Sequence, residues 1–312
     1  MMQIESFFDE RTWTLTYVVF DPATKDAVVI DPVYDYEPKG SATWTESVDA
    51  VTRFVKEEGL QLHYILETHA HADHISGAQL LRERFPGAKV AIGERIVDVQ
   101  RTFQHIFNLP EDFKTDGSQF DKLLSPGKSY AAGTLSFEIL ATPGHTPACT
   151  SIVMGDAVFT GDALFNPDVG TGRCDFPGGS ARDMYNSVAK VLYALPDDTK
   201  AYVGHDYPPE SREVLTHTTI AEQKANNVAL PAGRSEEDFV AWRQKRDRSL
   251  DAPRLLFQSV QVNVDAGHLP AKDSNDIRYL RIPLNVFRPE PTPDSELRLE
   301  GVDEGEEVEV EA

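Results

Sequence analysis

Apolar positions along the chain follow two periods, and each change of period marks a boundary. Residues 13–20 (WTLTYVVF) form a β-branched and aromatic run, residues 21–25 read as a turn, and residues 27–30 form a second run. Together they predict a β-hairpin. Over residues 47–58 the period lengthens: Val48, Val51, Phe54 and Val55 recur at helical spacing, and residues 62–66 return to a short apolar strand. Strand, helix and strand in that order imply an α/β layered core. Further on, the pattern predicts a helix over 78–84, strands over 89–92, 135–140, 150–154 and 157–160, a helix over 181–194 and an apolar run over 201–203. Residues 101–121, polar with interspersed Phe, are expected to be an insertion or lid. A charged helix is expected over 236–248, followed by the segments 255–264 and 277–283.

Several apolar runs stop at a His or an Asp, and candidate chemistry gathers there. After the run ending at Leu66, the segment Thr68-His69-Ala70-His71-Ala72-Asp73-His74 sets three imidazoles and a carboxylate on one loop. Imidazole and carboxylate suit zinc or iron, and the intervening alanines add no bulk around an ion. A lone His on an apolar face is ordinarily a satisfied core residue, but a buried cluster of this density is costly unless a cation compensates it. Thr142-Pro143-Gly144-His145 and Thr160-Gly161-Asp162 each place a ligand after a strand and a Gly that permits a sharp turn, and Val203-Gly204-His205 repeats the theme.

Composition narrows the picture. A formal charge of −21 makes duplex nucleic acid an unsuitable partner and favours a small-molecule substrate. Two cysteines, Cys149 and Cys174, are too few for a disulfide framework and point to a reducing, cytoplasmic setting. The first ten residues lack the basic-then-apolar order of a secretory signal, and no run approaches the length of a membrane helix. Residues 289–312 carry ten acidic residues against the single Arg298, the mark of a disordered tail. Deleting them is expected to leave turnover and melting temperature nearly unchanged, which an activity assay and a thermal melt of the shortened chain would check.

The order HxHxDH, GH, GD and a final His resembles the metal-binding pattern of the metallo-β-lactamase superfamily, over roughly residues 10–210. The resemblance implies an α/β fold, an αββα sandwich, with seven potential ligands: His69, His71, Asp73, His74, His145, Asp162 and His205. It divides the chain into a catalytic domain, 1–207, a C-terminal extension packed on it, 208–288, and the acidic tail, 289–312.

Within that superfamily, Gly170-Thr171-Gly172-Arg173-Cys174-Asp175-Phe176 is similar to a segment of the persulfide dioxygenases, the ethylmalonic-encephalopathy protein family, with Thr171 and Cys174 departing from its Cys and Thr. Segments 257–263 and 277–285 resemble the extension of a bacterial β-lactamase-related hydrolase-like branch. The resemblance implies one Fe(2+) held by His69, His145 and Asp162, with O2 and glutathione persulfide as substrates. Asp73 and His205 are then catalytic, and Arg173 and Tyr207 bind substrate, so that Arg173→Ala should raise KM more than it alters iron content. Arg173 as a structural ion pair, Tyr207 as a core residue and Cys174 as a small buried hydrophobe stay open beside those roles. Two other functions are also compatible: a binuclear zinc hydrolase of glutathione thioesters using all seven ligands, and a non-catalytic metal-bound sensor. A homodimer is compatible with either enzyme.

Overall fold

The strand Thr14–Phe20 is buried along its whole length, because both of its faces are covered. Leu15, Tyr17 and Val19 point to one side and Val18 and Phe20 to the other, the alternation a pleated strand imposes. In the computed structural model, which describes residues 2–286, this strand sits near one edge of a six-stranded sheet. The sheet runs Gln3–Asp9, Thr14–Phe20, Asp26–Ile30, Gln61–Glu67, Lys89–Gly93 and Lys122–Leu124. The first three strands are antiparallel, joined by tight turns, and the next three are parallel, with helices in the Asp26–Ile30 to Gln61–Glu67 and Gln61–Glu67 to Lys89–Gly93 crossovers. A second six-stranded sheet runs from Ser129–Ala132 through Leu135–Ala141, Thr150–Met154, Ala157–Phe159 and Lys200–Tyr202 to His217–Thr219.

The two sheets pack face to face through Leu15, Tyr17, Val19 and Ile30 on one side and Phe137, Ile139, Ile152 and Phe159 on the other. Helices cover the outer faces. Val48, Val51 and Val55 of Glu46–Glu57, Leu81 of Ala78–Arg84 and Val99 and Phe103 of Ile96–Phe107 bury against the first sheet. Ala181, Met184, Val188 and Phe239 bury against the second. The layering is the expected αββα sandwich.

Residues 101–121 are not a lid. The helix begins at Ile96, earlier than the expected insertion, and sets Ile96, Val99, Phe103 and Phe107 into the core, joined by Phe120. Gln100 is fully buried, its amide donating to Val264 O and Gln119 Oε1 and accepting from Gly117 N. Reading from Arg101 hid the i, i+3/i+4 spacing that makes this a core helix. The expected helix over 181–194 exists but changes pitch: α-helical over Ala181–Asn186, a π-type turn over Ser187–Val191 and a 3₁₀ turn over Leu192–Ala194.

Beyond Tyr207, the helix Leu256–Asn263 inserts Leu256 and Val260 into the first-sheet core, and Phe239 of Glu236–Arg248 enters the second-sheet layer. The acidic residues 289–312 lie outside the described residues. No helix among the described residues is long and apolar enough to cross a membrane.

Candidate metal centre

Every expected ligand lies just beyond the C-terminal end of a strand, and all of these ends face the same edge of the sandwich. His69, His71, Asp73 and His74 follow Gln61–Glu67; His145 follows Leu135–Ala141; Asp162 follows Ala157–Phe159; His205 follows Lys200–Tyr202. Gly161 and Gly144 act as the sequence implied, whereas Gly204 does not take a positive φ. Gly161 turns at φ +50°, with Thr68 Oγ1 2.6 Å from where a Cβ would stand. At Gly144, φ is +148° and a Cβ would meet the Met184 backbone at 2.5 Å. Gly144→Ala should therefore displace His145 and cost about 1–3 kcal/mol, as overpacking typically does. Metal analysis and a thermal melt read that effect, and an unchanged melt with full metal content would contradict it.

The side chains converge as two groups. One ligand atom each from His69, His145 and Asp162 falls within 4.8 Å of the others, and the same holds for His71, Asp73 and His74. His145 Nε2 is 3.6 Å and His69 Nε2 4.0 Å from Asp162 Oδ2. His205 links the groups, with Nε2 at 3.3 Å from both Asp162 Oδ1 and Asp73 Oδ2. Partners on the far ring nitrogens fix the orientation: His145 Nδ1 is 2.8 Å from Arg173 O and His69 Nδ1 is 3.0 Å from Thr68 Oγ1. The inward atoms have no hydrogen-bond partner although they are buried, among them His69 Nε2, His74 Nε2, His205 Nε2 and Asp162 Oδ1. Polar atoms left bare inside a protein are costly, and a cation held by the His69, His145 and Asp162 group would offset that cost for the atoms it contacts. Burial, reinforced by His71 and His145, pushes the His69 imidazolium well below its ordinary range and favours the neutral ring a metal requires.

Beneath the ligands lies a carboxylate pair that sequence reasoning missed. Asp31, at φ +50°, accepts from Thr68 N at 2.7 Å and Thr68 Oγ1 at 2.8 Å, which pins the start of the His loop. His71 Nε2 lies 3.0 Å from Asp31 Oδ1 and 3.3 Å from Glu67 Oε2. Burial opposes charge on His71, but Asp31 and Glu67 outweigh it and raise its pKa well above the ordinary value. Asp31 followed an apolar run just as the ligands do, and that was the available signal. Asn263, on the Leu256–Asn263 helix, was also missed; its amide donates to His71 O and His74 O, both at 2.8 Å, and accepts from Ser76 N.

The loop 170–176 forms one wall. Gly172 lies so close that a Cβ there would stand 2.1 Å from Asp162 O. Cys174 N donates to Asp247 Oδ2 at 3.0 Å, and Arg243, paired with Asp247 at 2.6 Å, donates to Thr171 O, so the Glu236–Arg248 helix holds the loop in place. Burial pushes the Cys174 thiol up, so the side chain sits as a buried neutral group. The Arg173 side chain forms an ion pair, the reading left open beside the substrate role, and also lines the cavity: Nε and Nη2 chelate Asp175 at 2.7 and 2.8 Å, and Nη1 donates to Asp251 O at 2.6 Å. Phe176 sets its ring edge against His145, with centroids 5.0 Å apart. Tyr207, 41% exposed, stacks over His205 at 5.9 Å and meets Trp13 at 5.7 Å. Together these side chains enclose a cavity of about 420 Å³ that Asp73, His145 and Asp162 also line.

An αββα sandwich carrying a His- and Asp-rich site at the strand ends defines a class, and the family model of the metallo-beta-lactamase superfamily matches residues 14–205. The chain belongs to that superfamily, and its metal-ligand groups make it a metal-dependent protein. It is 47% identical over 284 residues to the beta-lactamase hydrolase-like protein of Agrobacterium fabrum, matching 91% of this chain but only 65% of that one. To the mitochondrial persulfide dioxygenase ETHE1 of Homo sapiens it is 32% identical, over 85% of this chain and 88% of the relative. The crystal structure of ETHE1 from Myxococcus xanthus superposes with a TM-score of 0.68 at 36% identity, covering 85% of this chain and all of that one.

Proposed function

We propose that the protein is a mononuclear non-haem iron dioxygenase that converts glutathione persulfide, O2 and water to glutathione, sulfite and two protons. The observation that carries the reading is the His69, His145 and Asp162 group, two imidazoles and one carboxylate facing a cavity large enough for a small thiol. Similarity to persulfide dioxygenases supports it. Iron bound there would supply redox chemistry that joins O2 to sulfur, which zinc lacks.

The chain's own residues do the rest. His145 is held in one tautomer by Arg173 O, so that Nε2 is free to face the metal. To Asp73 Oδ2 and His205 Nε2, 3.3 Å apart beside the metal group, this reading assigns the passage of a proton to the departing glutathione sulfur. Phe165, Phe176, Trp13 and Tyr207 line the cavity and limit bulk water around the reacting sulfur.

A second reading, a binuclear zinc hydrolase of glutathione thioesters, is favoured by the second ligand group, His71, Asp73 and His74, and by similarity to a protein named hydrolase-like. Iron-loaded and zinc-loaded preparations, each assayed on glutathione persulfide and on a glutathione thioester, separate the two. The dioxygenase reading expects sulfite from the iron form alone, and rapid thioester cleavage by the zinc form without sulfite from either would overturn it.

A further inference from the structure

We propose that Arg246 and Arg254, at the mouth of the metal cavity, bind two carboxylates of a thiol ligand and so set the specificity of the site. The inference rests on the small-thiol reading of the cavity but not on whether the reaction there is oxidation or hydrolysis.

The chain has 51 acidic residues against 30 Lys and Arg, yet five arginines line this one cavity: Arg11, Arg173, Arg243, Arg246 and Arg254. Most of their guanidinium groups are committed within the protein. Arg243 is buried against Asp247 and Thr171 O. Arg173 is chelated by Asp175 and tied to Asp251 O. Arg11 contacts Asp9, Asp35 and Glu46.

Two remain available. The Arg246 guanidinium takes part in no hydrogen bond or ion pair among the described residues, and Arg254 makes one 3.2 Å donation to Arg11 O and a longer-range charge interaction with Glu37. Both are exposed. Arg246 lies in the last turn of Glu236–Arg248, where basic residues also favour the helix dipole. Its neighbours Lys245 and Arg248 satisfy that role equally, but they do not line the cavity.

The carboxylates lining the same space are Asp73 and Asp162, which belong to the metal cluster, and Asp251. An anionic ligand entering therefore meets guanidinium donors at the mouth, an apolar wall including Trp13, Phe165 and Pro253, and the metal ligands beyond. Guanidinium groups bind carboxylates through paired N–H donors, which gives geometric selectivity as well as attraction. The matching ligand has a sulfur end for the metal and two carboxylates separated by a flexible body. Glutathione, with its γ-glutamyl and glycyl carboxylates, has that chemistry.

The test is titration calorimetry of the metal-loaded enzyme with S-methylglutathione and with its diethyl ester, in which both carboxylates are capped. Arg246→Ala and Arg254→Ala should each weaken binding of the diacid by about 10- to 100-fold, the usual worth of a charged hydrogen bond. Arg246→Lys should recover only part of the loss, and metal content should stay at the wild-type level. The diester should bind weakly and alike to all forms. In turnover the alanine variants should raise KM with little change in kcat. Diacid affinity within twofold of wild type in both variants, or diester binding as tight as the diacid, would overturn the assignment. If the wild type cleaves a thioester and makes no sulfite while the binding losses appear as expected, the arginine assignment stands and the dioxygenase reading falls.

Discussion

His145→Ala is expected to be isolated nearly free of metal and without activity, whereas His205→Ala should keep close to one iron per chain and turn over more slowly. The contrast follows from position. His145 supplies one of three protein donors in its group and is oriented from behind by Arg173 O, so its loss removes a third of the group's donors. His205 stands 3.3 Å from both Asp162 and Asp73 but is absent from the compact group, and acts on its carboxylates from beside them. Residues that orient ligands typically cost about 10- to 100-fold in affinity or activity when removed. Metal analysis with steady-state kinetics reads both variants, and a His205→Ala protein that loses half of two bound zinc ions would contradict the ordering.

Asp31→Ala should be the most destabilising substitution around the site, by about 3–5 kcal/mol, the usual cost of removing one member of a buried charged pair. It leaves Thr68 without its carboxylate partner and His71 with Glu67 alone, in a fully buried position. The penalty should depend on pH at both ends. Burial raises the Asp31 carboxyl, but His71 and the Thr68 hydrogen bonds overcome it and hold the folded pKa below the ordinary 3.8. That contribution is present above 3.8 and is lost as pH falls through the folded value. His71 is raised above 6.5, so its contribution is complete below 6.5 and is lost as pH rises through the folded value. Urea melts of wild type and Asp31→Ala across the pH range should therefore differ most between these limits. An equal difference at every pH would show that the pair is not charged in the folded protein.

How much of this was legible in the sequence depended on how local each signal was. The ligands could be read because each sits in a short run of its own: an apolar strand, a Gly or Thr, then the His or Asp. Asp31 carries the same strand-end signature, but a single carboxylate before Pro32 lacks the company that makes the 69–74 loop conspicuous. For Arg173 the sequence leaves both a structural ion pair and a substrate contact open, and the partner of the ion pair, Asp175, stands only two residues away.

Asn263 and Asp247 could not be placed by any local rule. Each reaches the site across more than 70 residues of chain, through the docking of a C-terminal helix on cores that belong to earlier strands. The helix Ile96–Phe107 was missed for a simpler reason, since its apolar spacing is visible only when Ile96 and Val99 are read together with Phe103 and Phe107.

Oxidation of sulfur by O2 at this site is read from oxygen uptake. Protein loaded with iron under anaerobic conditions, then given glutathione persulfide in air-saturated buffer, should consume O2 in equal proportion to the sulfite it releases, and His145→Ala should do neither. Sustained turnover of a glutathione thioester with no oxygen consumption on the persulfide would contradict it.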